Sequence, residues 1–101
     1  MPDYRTVAKT SDIRVGHGKA FRIKERRIAI FNDGGNFCAM SNVCPHAMGP
    51  LARGRVRNGT VICPVHGYAY NTRTGICETD SRLHVQTYEV VVEDDDVKIL
   101  S

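Results

Sequence analysis

Short apolar runs alternate with turn-forming residues along the chain, at a period of two rather than 3.6. Residues 4–8 (Tyr4-Arg5-Thr6-Val7-Ala8) are rich in β-formers and predict a first strand, ended by Thr10-Ser11-Asp12. Gly16-His17-Gly18 is a second break. Residues 20–24 then alternate, with Phe21 and Ile23 on one face, and residues 27–31 return as the partner strand. Asn32-Asp33-Gly34-Gly35-Asn36 is a strong hairpin signal, because Asp-Gly and Gly-Gly readily take positive φ. Residues 37–40 complete a three-stranded meander. Thr60-Val61-Ile62 and Tyr68-Ala69-Tyr70 pair around a hairpin tip at 63–67, and Thr74-Gly75 turns the chain again. Residues 84–92 form the longest strand candidate. Residues 97–100 pair back on it after the charged turn Glu93-Asp94-Asp95-Asp96, where the aspartates serve only as a soluble turn. No segment holds a helical period. The expectation is an all-β protein of short strands, an antiparallel β-sandwich or partial barrel.

A length of 101 residues predicts one domain with a modest core, and no repeat, linker or low-complexity tract divides it. Charged residues at 25% and hydrophobic residues at 42% are ordinary for a globular protein. The net charge of +3 is uneven, with arginines concentrated in residues 24–57 and carboxylates in 78–96. So small an excess, with no helix to carry a basic stripe, argues against a nucleic-acid reader. The start, Met1-Pro2-Asp3-Tyr4-Arg5, shows no apolar run behind a basic segment, and no stretch is apolar enough to span a bilayer. A cytoplasmic monomer without membrane contact is expected. In that setting cysteine is better spent on metal than on disulfides.

Candidate chemistry concentrates in residues 44–66. Cys44-Pro45-His46 is followed by sixteen residues and then by Cys63-Pro64-Val65-His66. Each half offers one thiol and one imidazole in a turn built from Pro and Gly. A single Zn²⁺ accepts Cys2His2, but its usual knuckles pair Cys with Cys and His with His, the latter on a helix. A two-iron, two-sulfide cluster with split ligation takes both thiolates on one iron and both imidazoles on the other, so each loop straddles two metals. Cys44, His46, Cys63 and His66 are the candidate ligands on either reading.

Cys-x-His, sixteen residues, Cys-x-x-His-Gly67, the aromatic pair Tyr68 and Tyr70, and Thr74-Gly75 together closely resemble the Rieske ferredoxin family. The resemblance extends over nearly the whole chain, because hairpins fall where the family has them on both sides. It implies a single Rieske domain over 1–101, with a two-loop tip holding one [2Fe-2S] cluster through Cys44, His46, Cys63 and His66. It implies a one-electron carrier, not itself an enzyme, passing electrons from a flavin-dependent reductase to a terminal oxygenase of the aromatic-ring-hydroxylating type. High-potential members carry two further cysteines, one in each ligand loop, joined as a disulfide; Gly49 and Val65 stand at those positions here. The serine that donates to a bridging sulfide in those proteins is replaced by Tyr68. The low-potential, soluble branch is thereby implied. Tyr70 stands where a family tyrosine can hydrogen-bond a ligand sulfur, with simple packing as the other reading. Leu51 matches the family's hydrophobic cover. The third loop, residues 78–82, lacks the proline often found there, which leaves the cover of the cluster open.

Two other readings stand beside this one. A small electron-transfer or regulatory subunit of a larger oxidoreductase is one, since size and hairpin layout resemble the small subunit of NADH-dependent nitrite reductase. That subunit commonly lacks the four ligands. A structural zinc domain is the other. Ligand charge gives the first reading its physical content. Two thiolates leave an oxidised cluster near neutral, whereas four thiolates would start it two charges lower and resist reduction. Histidine ligation therefore raises the potential, into a range of about −150 to +300 mV.

Outside the motif, Cys38 lies in an apolar run and is expected to be a small core residue. Cys77 is expected to be partly exposed. His17 and His84 have no partner at ligand spacing and are expected to be structural or solvent-facing. Arg53, Arg55 and Arg57 alternate, so on a strand they would share one face, either merely solvated or able to steer an acidic partner.

Overall fold

The computed structural model describes residues 4–43, 50–65 and 67–100. The described strands are β1 (Tyr4–Lys9), β2 (Gly18–Ile23), β3 (Arg26–Asp33), β4 (Asn36–Ser41), β5 (Arg55–Arg57), β6 (Thr60–Ile62), β7 (Ala69–Asn71), β8 (Thr87–Tyr88), β9 (Val90–Glu93) and β10 (Asp96–Leu100). Two 3₁₀ turns, Thr10–Asp12 and Leu51–Arg53, are the helical elements among the described residues. None of these is long and apolar enough to cross a membrane. The strands form three antiparallel sheets, in the orders β1-β10-β9, β2-β3-β4-β8 and β5-β6-β7. The all-β expectation is met.

The predicted meander is β2-β3-β4. Phe21 faces Ile28 across the first pair, and Asp33 faces Asn36 at the second turn. That turn needs its glycines: Gly34 and Gly35 have φ of 62° and 101°, and the Gly35 N–H donates to Asn32 Oδ1 at 2.8 Å.

Strand β3 is buried on both faces from Ile28 to Asn32. Side chains alternate across a strand, so successive residues enter two different cores. Ile28 and Ile30 join Ala8, Ile13, Ile23, Ala39, Val97 and Ile99 in one cluster, between the central sheet and the β1-β10-β9 sheet. Ala29 and Phe31 join Met40, Leu51, Val56, Val61, Cys63 and Tyr70 in the other, beneath the β5-β6-β7 lobe. Strand β4 repeats the pattern: Phe37 and Ala39 serve the first core, Cys38 and Met40 the second. The central sheet is therefore the middle of three layers.

The long strand expected over 84–92 is divided. Thr87 and Tyr88 pair with Met40 and Ala39 of β4, whereas residues 90–93 pair with β10. Glu89 is the switch point: its carbonyl accepts from Leu100 N at 3.0 Å, and its carboxylate accepts from the Tyr4 hydroxyl at 2.7 Å. The segment changes sheets because each half has its own partner, a distinction that periodicity along one chain does not carry.

Candidate metal centre

Two loops leave the fold toward the candidate ligands, and both are rooted in one core. The first departs after β4. Val43 and Pro50 form an isolated antiparallel bridge that closes its base. Asn42, a buried polar residue, fastens both sides of this base. Its N–H donates to Arg27 O at 2.9 Å, its carbonyl accepts from Leu51 N at 2.9 Å, and its side-chain Oδ1 accepts from Ala52 N at 2.8 Å. Leu51, fully buried, then anchors the chain in the core. The candidate ligands Cys44 and His46 lie outside the described residues, as does Gly49.

The second loop joins β6 to β7 as the predicted hairpin tip. Register places Val61 opposite Tyr70 and Ile62 opposite Ala69. Cys63 follows at once. Its N–H donates to Tyr68 O at 2.7 Å, and its carbonyl accepts from Gly67 N at 3.0 Å. Gly67 has φ of 72°, the left-handed conformation that lets the tip close this tightly. The Cys63 side chain is buried at 1% exposure, in the core that also holds Leu51. Pro64 and Val65 face solvent, and His66 lies outside the described residues.

The loop bases approach closely at Gly54. A Cβ built there would stand 2.0 Å from the backbone oxygen of Ile62, the residue before Cys63. Among the described residues no three His, Cys, Asp or Glu side chains converge on a metal position; Cys63 is the one candidate ligand described. The donor chemistry nonetheless fits a [2Fe-2S] group. A thiol is carried inward on a closed hairpin, next to the core anchor of the loop that bears the second thiol and the first imidazole. Such a water-poor, apolar surround suits a cluster whose charge changes by one electron.

The third loop is braced without a proline. Glu78 N donates to Ala69 O at 2.7 Å, and Ala69 N donates to Thr79 Oγ1 at 3.0 Å. Asp80 N donates to Cys77 Sγ at 3.3 Å, and Arg82 grips Asp80 through Nε at 3.0 Å and Nη2 at 2.9 Å. The loop is thus tied to the start of β7, just past the tip. Cys77 is fully buried rather than partly exposed, because its bridge to Tyr70 draws it into the core. Asn42, Gly54 and Thr79 were not singled out by the sequence; a polar residue just before the ligand loop was the available hint for Asn42.

Cys38 is packed against the same core as expected, and its thiol is pushed up to about 11. Burial is the main cause and the Asp33 carboxylate adds to it, against smaller opposing hydrogen bonds from Thr72 and Phe31. Tyr70 is fully buried beside Cys63 in that core. His84 is exposed. His17 accepts a hydrogen bond at Nε2 from Arg55 Nη1 at 3.2 Å. Its pKa is lowered by desolvation and by the Arg55 and Arg14 charges. Arg55 and Arg57 share the outer face of β5 and are exposed, with buried Val56 between them; Arg53 sits on the preceding 3₁₀ turn instead.

Comparison with known proteins bears on this arrangement. A family model described as the Rieske [2Fe-2S] domain matches residues 3–89. The 3-phenylpropionate/cinnamic acid dioxygenase ferredoxin subunit of Escherichia coli K12 is 36% identical over 91 residues, covering 84% of this chain and 83% of that one. Apoptosis-inducing factor 3 of Mus musculus is 30% identical over 95 residues; the match covers 93% of this chain but only 16% of that longer protein. The ferredoxin of carbazole 1,9a-dioxygenase from Nocardioides aromaticivorans superposes with a TM-score of 0.87, 27% identity and 96% coverage of both chains. A Mycobacterium tuberculosis protein assigned as an NADH-dependent nitrite reductase small subunit superposes with a TM-score of 0.89 over 100% of this chain and 96% of that one. At 23% identity that likeness concerns the fold.

Proposed function

Because this chain belongs to the Rieske [2Fe-2S] domain family, we propose that it is a one-electron carrier holding one [2Fe-2S] cluster through Cys44, His46, Cys63 and His66. One observation carries the ligand assignment: the loops bearing these residues are rooted side by side in a single core, with Cys63 already turned into it. When bound, the group supplies reversible one-electron transfer at a potential raised by imidazole ligation. The chain's own residues do the rest. Asn42 and the Val43–Pro50 bridge hold the first loop shut, the Cys63–Tyr68 and Gly67–Cys63 hydrogen bonds hold the second, and Leu51 and Tyr70 keep water from the inner side.

Residues 1–101 act as one domain on this reading. The electron comes from a flavin-dependent reductase and goes to a terminal oxygenase of the aromatic-ring-hydroxylating type, since the E. coli relative is named as a dioxygenase ferredoxin subunit. The protein works as a monomer in the cytoplasm and does no substrate chemistry of its own. A subunit role in a larger oxidoreductase is the alternative, and stable co-purification with one large chain would favour it.

Anaerobic purification tests the centre. About two irons and two acid-labile sulfides per chain, with a rhombic EPR spectrum after reduction, are expected. Replacing His46 or His66 should alter that spectrum. A colourless zinc-bearing protein, or a spectrum indifferent to both histidines, refutes the assignment.

A further inference from the structure

An open groove of 380 Å³ runs along β5, between that strand and the loop preceding β2. Arg55 and Arg57 form one wall, Val15 and Gly16 the other, and Asp33 and Asn58 close the far end. Val15 is 66% exposed, an isolated apolar side chain beside two cations. Arg14 and His17 add to this side of the groove, Arg14 through its charge and His17 through its contact with Arg55. The ion pairs among the described residues join Lys9 to Asp96, Arg82 to Asp80 and Lys98 to Glu93; none involves Arg14, Arg55 or Arg57. Over residues 50–85 five arginines face two carboxylates, whereas the acidic run 93–96 belongs to the outer sheet.

We propose that this groove docks an acidic segment of a redox-partner protein, with carboxylates on Arg55 and Arg57 and an apolar side chain on Val15. The inference rests on the electron-carrier reading and adds the partner's chemistry to it. Position supports the assignment. Arg55 lies directly opposite Ile62, and Ile62 precedes Cys63. Cross-strand and chain spacing put the Arg55 backbone within roughly 9 Å of Cys63. A partner held at this end of the groove is beside the electron. Charge placed there raises encounter rates more than it raises affinity, which suits a carrier that must also leave. Chemistry discriminates against nucleic acid: no aromatic side chain lines the groove for base stacking.

The test uses the holoprotein and a hexaglutamate peptide, followed by amide NMR shifts and by calorimetry. Shifts confined to Val15, Gly16 and residues 55–58 are expected, with binding weakened by added salt. Arg55→Glu and Arg57→Glu should each weaken binding about tenfold at low ionic strength, and Arg22→Glu, on the exposed side of β2, should not. Arg57→Glu leaves the His17 contact in place, so it keeps the test valid if Arg55→Glu distorts the loop. Equal loss with Arg22→Glu, shifts scattered over every arginine, no binding, or inorganic phosphate binding as well as the peptide would each overturn the proposal. Iron content and EPR on the same samples separate the two ideas. Lost peptide binding with an intact spectrum sinks the groove alone, and peptide binding by a cluster-free protein sinks the centre alone.

Discussion

Gly54→Ala is the sharpest probe of how the two ligand loops are fitted together. Gly54 has φ of −77° and ψ of −178°, extended backbone that alanine adopts without strain, so only contact matters. The added Cβ would meet Ile62 O at 2.0 Å, Ile62 C at 3.1 Å and Leu51 O at 3.1 Å. The first is about 1.4 Å closer than an ordinary van der Waals contact, and every one is a backbone atom that no rotamer change can move. Overpacking of this kind costs about 1–3 kcal/mol. Relief by parting β5 from β6 would strain the Arg55–Ile62 pairing, at about 1 kcal/mol for each hydrogen bond lost. A total of roughly 2–4 kcal/mol is a large share of the ~5–15 kcal/mol that holds a domain together. At ~4–8 °C per kcal/mol the melting temperature should fall by roughly 10–30 °C. Because the displaced residue adjoins Cys63, cluster occupancy should fall with it. Gly34→Ala is the control: its Cβ meets nothing within 4 Å, and only φ of 62° opposes it, at about 1 kcal/mol. Thermal melts and iron analysis of both variants decide the matter. A Gly54→Ala protein as stable and as iron-replete as wild type, or no worse than Gly34→Ala, refutes the steric reasoning.

Two further expectations concern groups outside the centre. Cys38, with its thiol pushed from 9.0 to about 11, should carry roughly a hundredfold less thiolate at pH 8 than an ordinary cysteine, and native alkylation mapped by mass spectrometry should leave it largely unmodified; rapid labelling before unfolding contradicts its half-buried placement against the core. His17 should titrate below the ordinary 6.5, because desolvation disfavours the charged ring and a proton on Nε2 would oppose the guanidinium of Arg55. Below 6.5 the unfolded chain takes up a proton that the folded chain resists, so this contribution to stability is complete above that pH and lost as pH falls. Imidazole C–H shifts check it: Arg55→Ala should move the midpoint part of the way back up, and a wild-type midpoint at or above 6.5 rules out the contact.

What could be read from the chain follows the reach of each signal. The meander was legible because its register is set by local chemistry, Asn32 through Asn36, and β6-β7 because Pro64 and Gly67 mark a tip. The pairing of Cys-x-His with Cys-x-x-His was legible as a metal motif because ligand type and spacing are written in sequence order. The unbroken apolar run Ile28-Ala29-Ile30-Phe31 carries a signal of its own, since a continuous apolar run marks a strand covered on both faces. The division of residues 84–92 at Glu89 was not legible, because the competing partners, β4 and β10, lie far away along the chain. The expectation of a partly exposed Cys77 fails because its burial comes from pairing with Tyr70 and Leu83, not from its immediate neighbours. Asn42 and Gly54 belong with these. One satisfies donors nine and ten residues ahead, and the other is required by a carbonyl eight residues on.

Tyr4 stands opposite Leu100 in the outermost sheet, so the described backbone enters and leaves at neighbouring points. A few glycines and serines should therefore suffice to splice those points into a ring, and new ends could be cut at Gly34-Gly35, a turn where a Cβ added to either glycine would meet nothing within 4 Å. A circularly permuted version that folds and binds iron would make this scaffold a compact electron relay for fusion at either location.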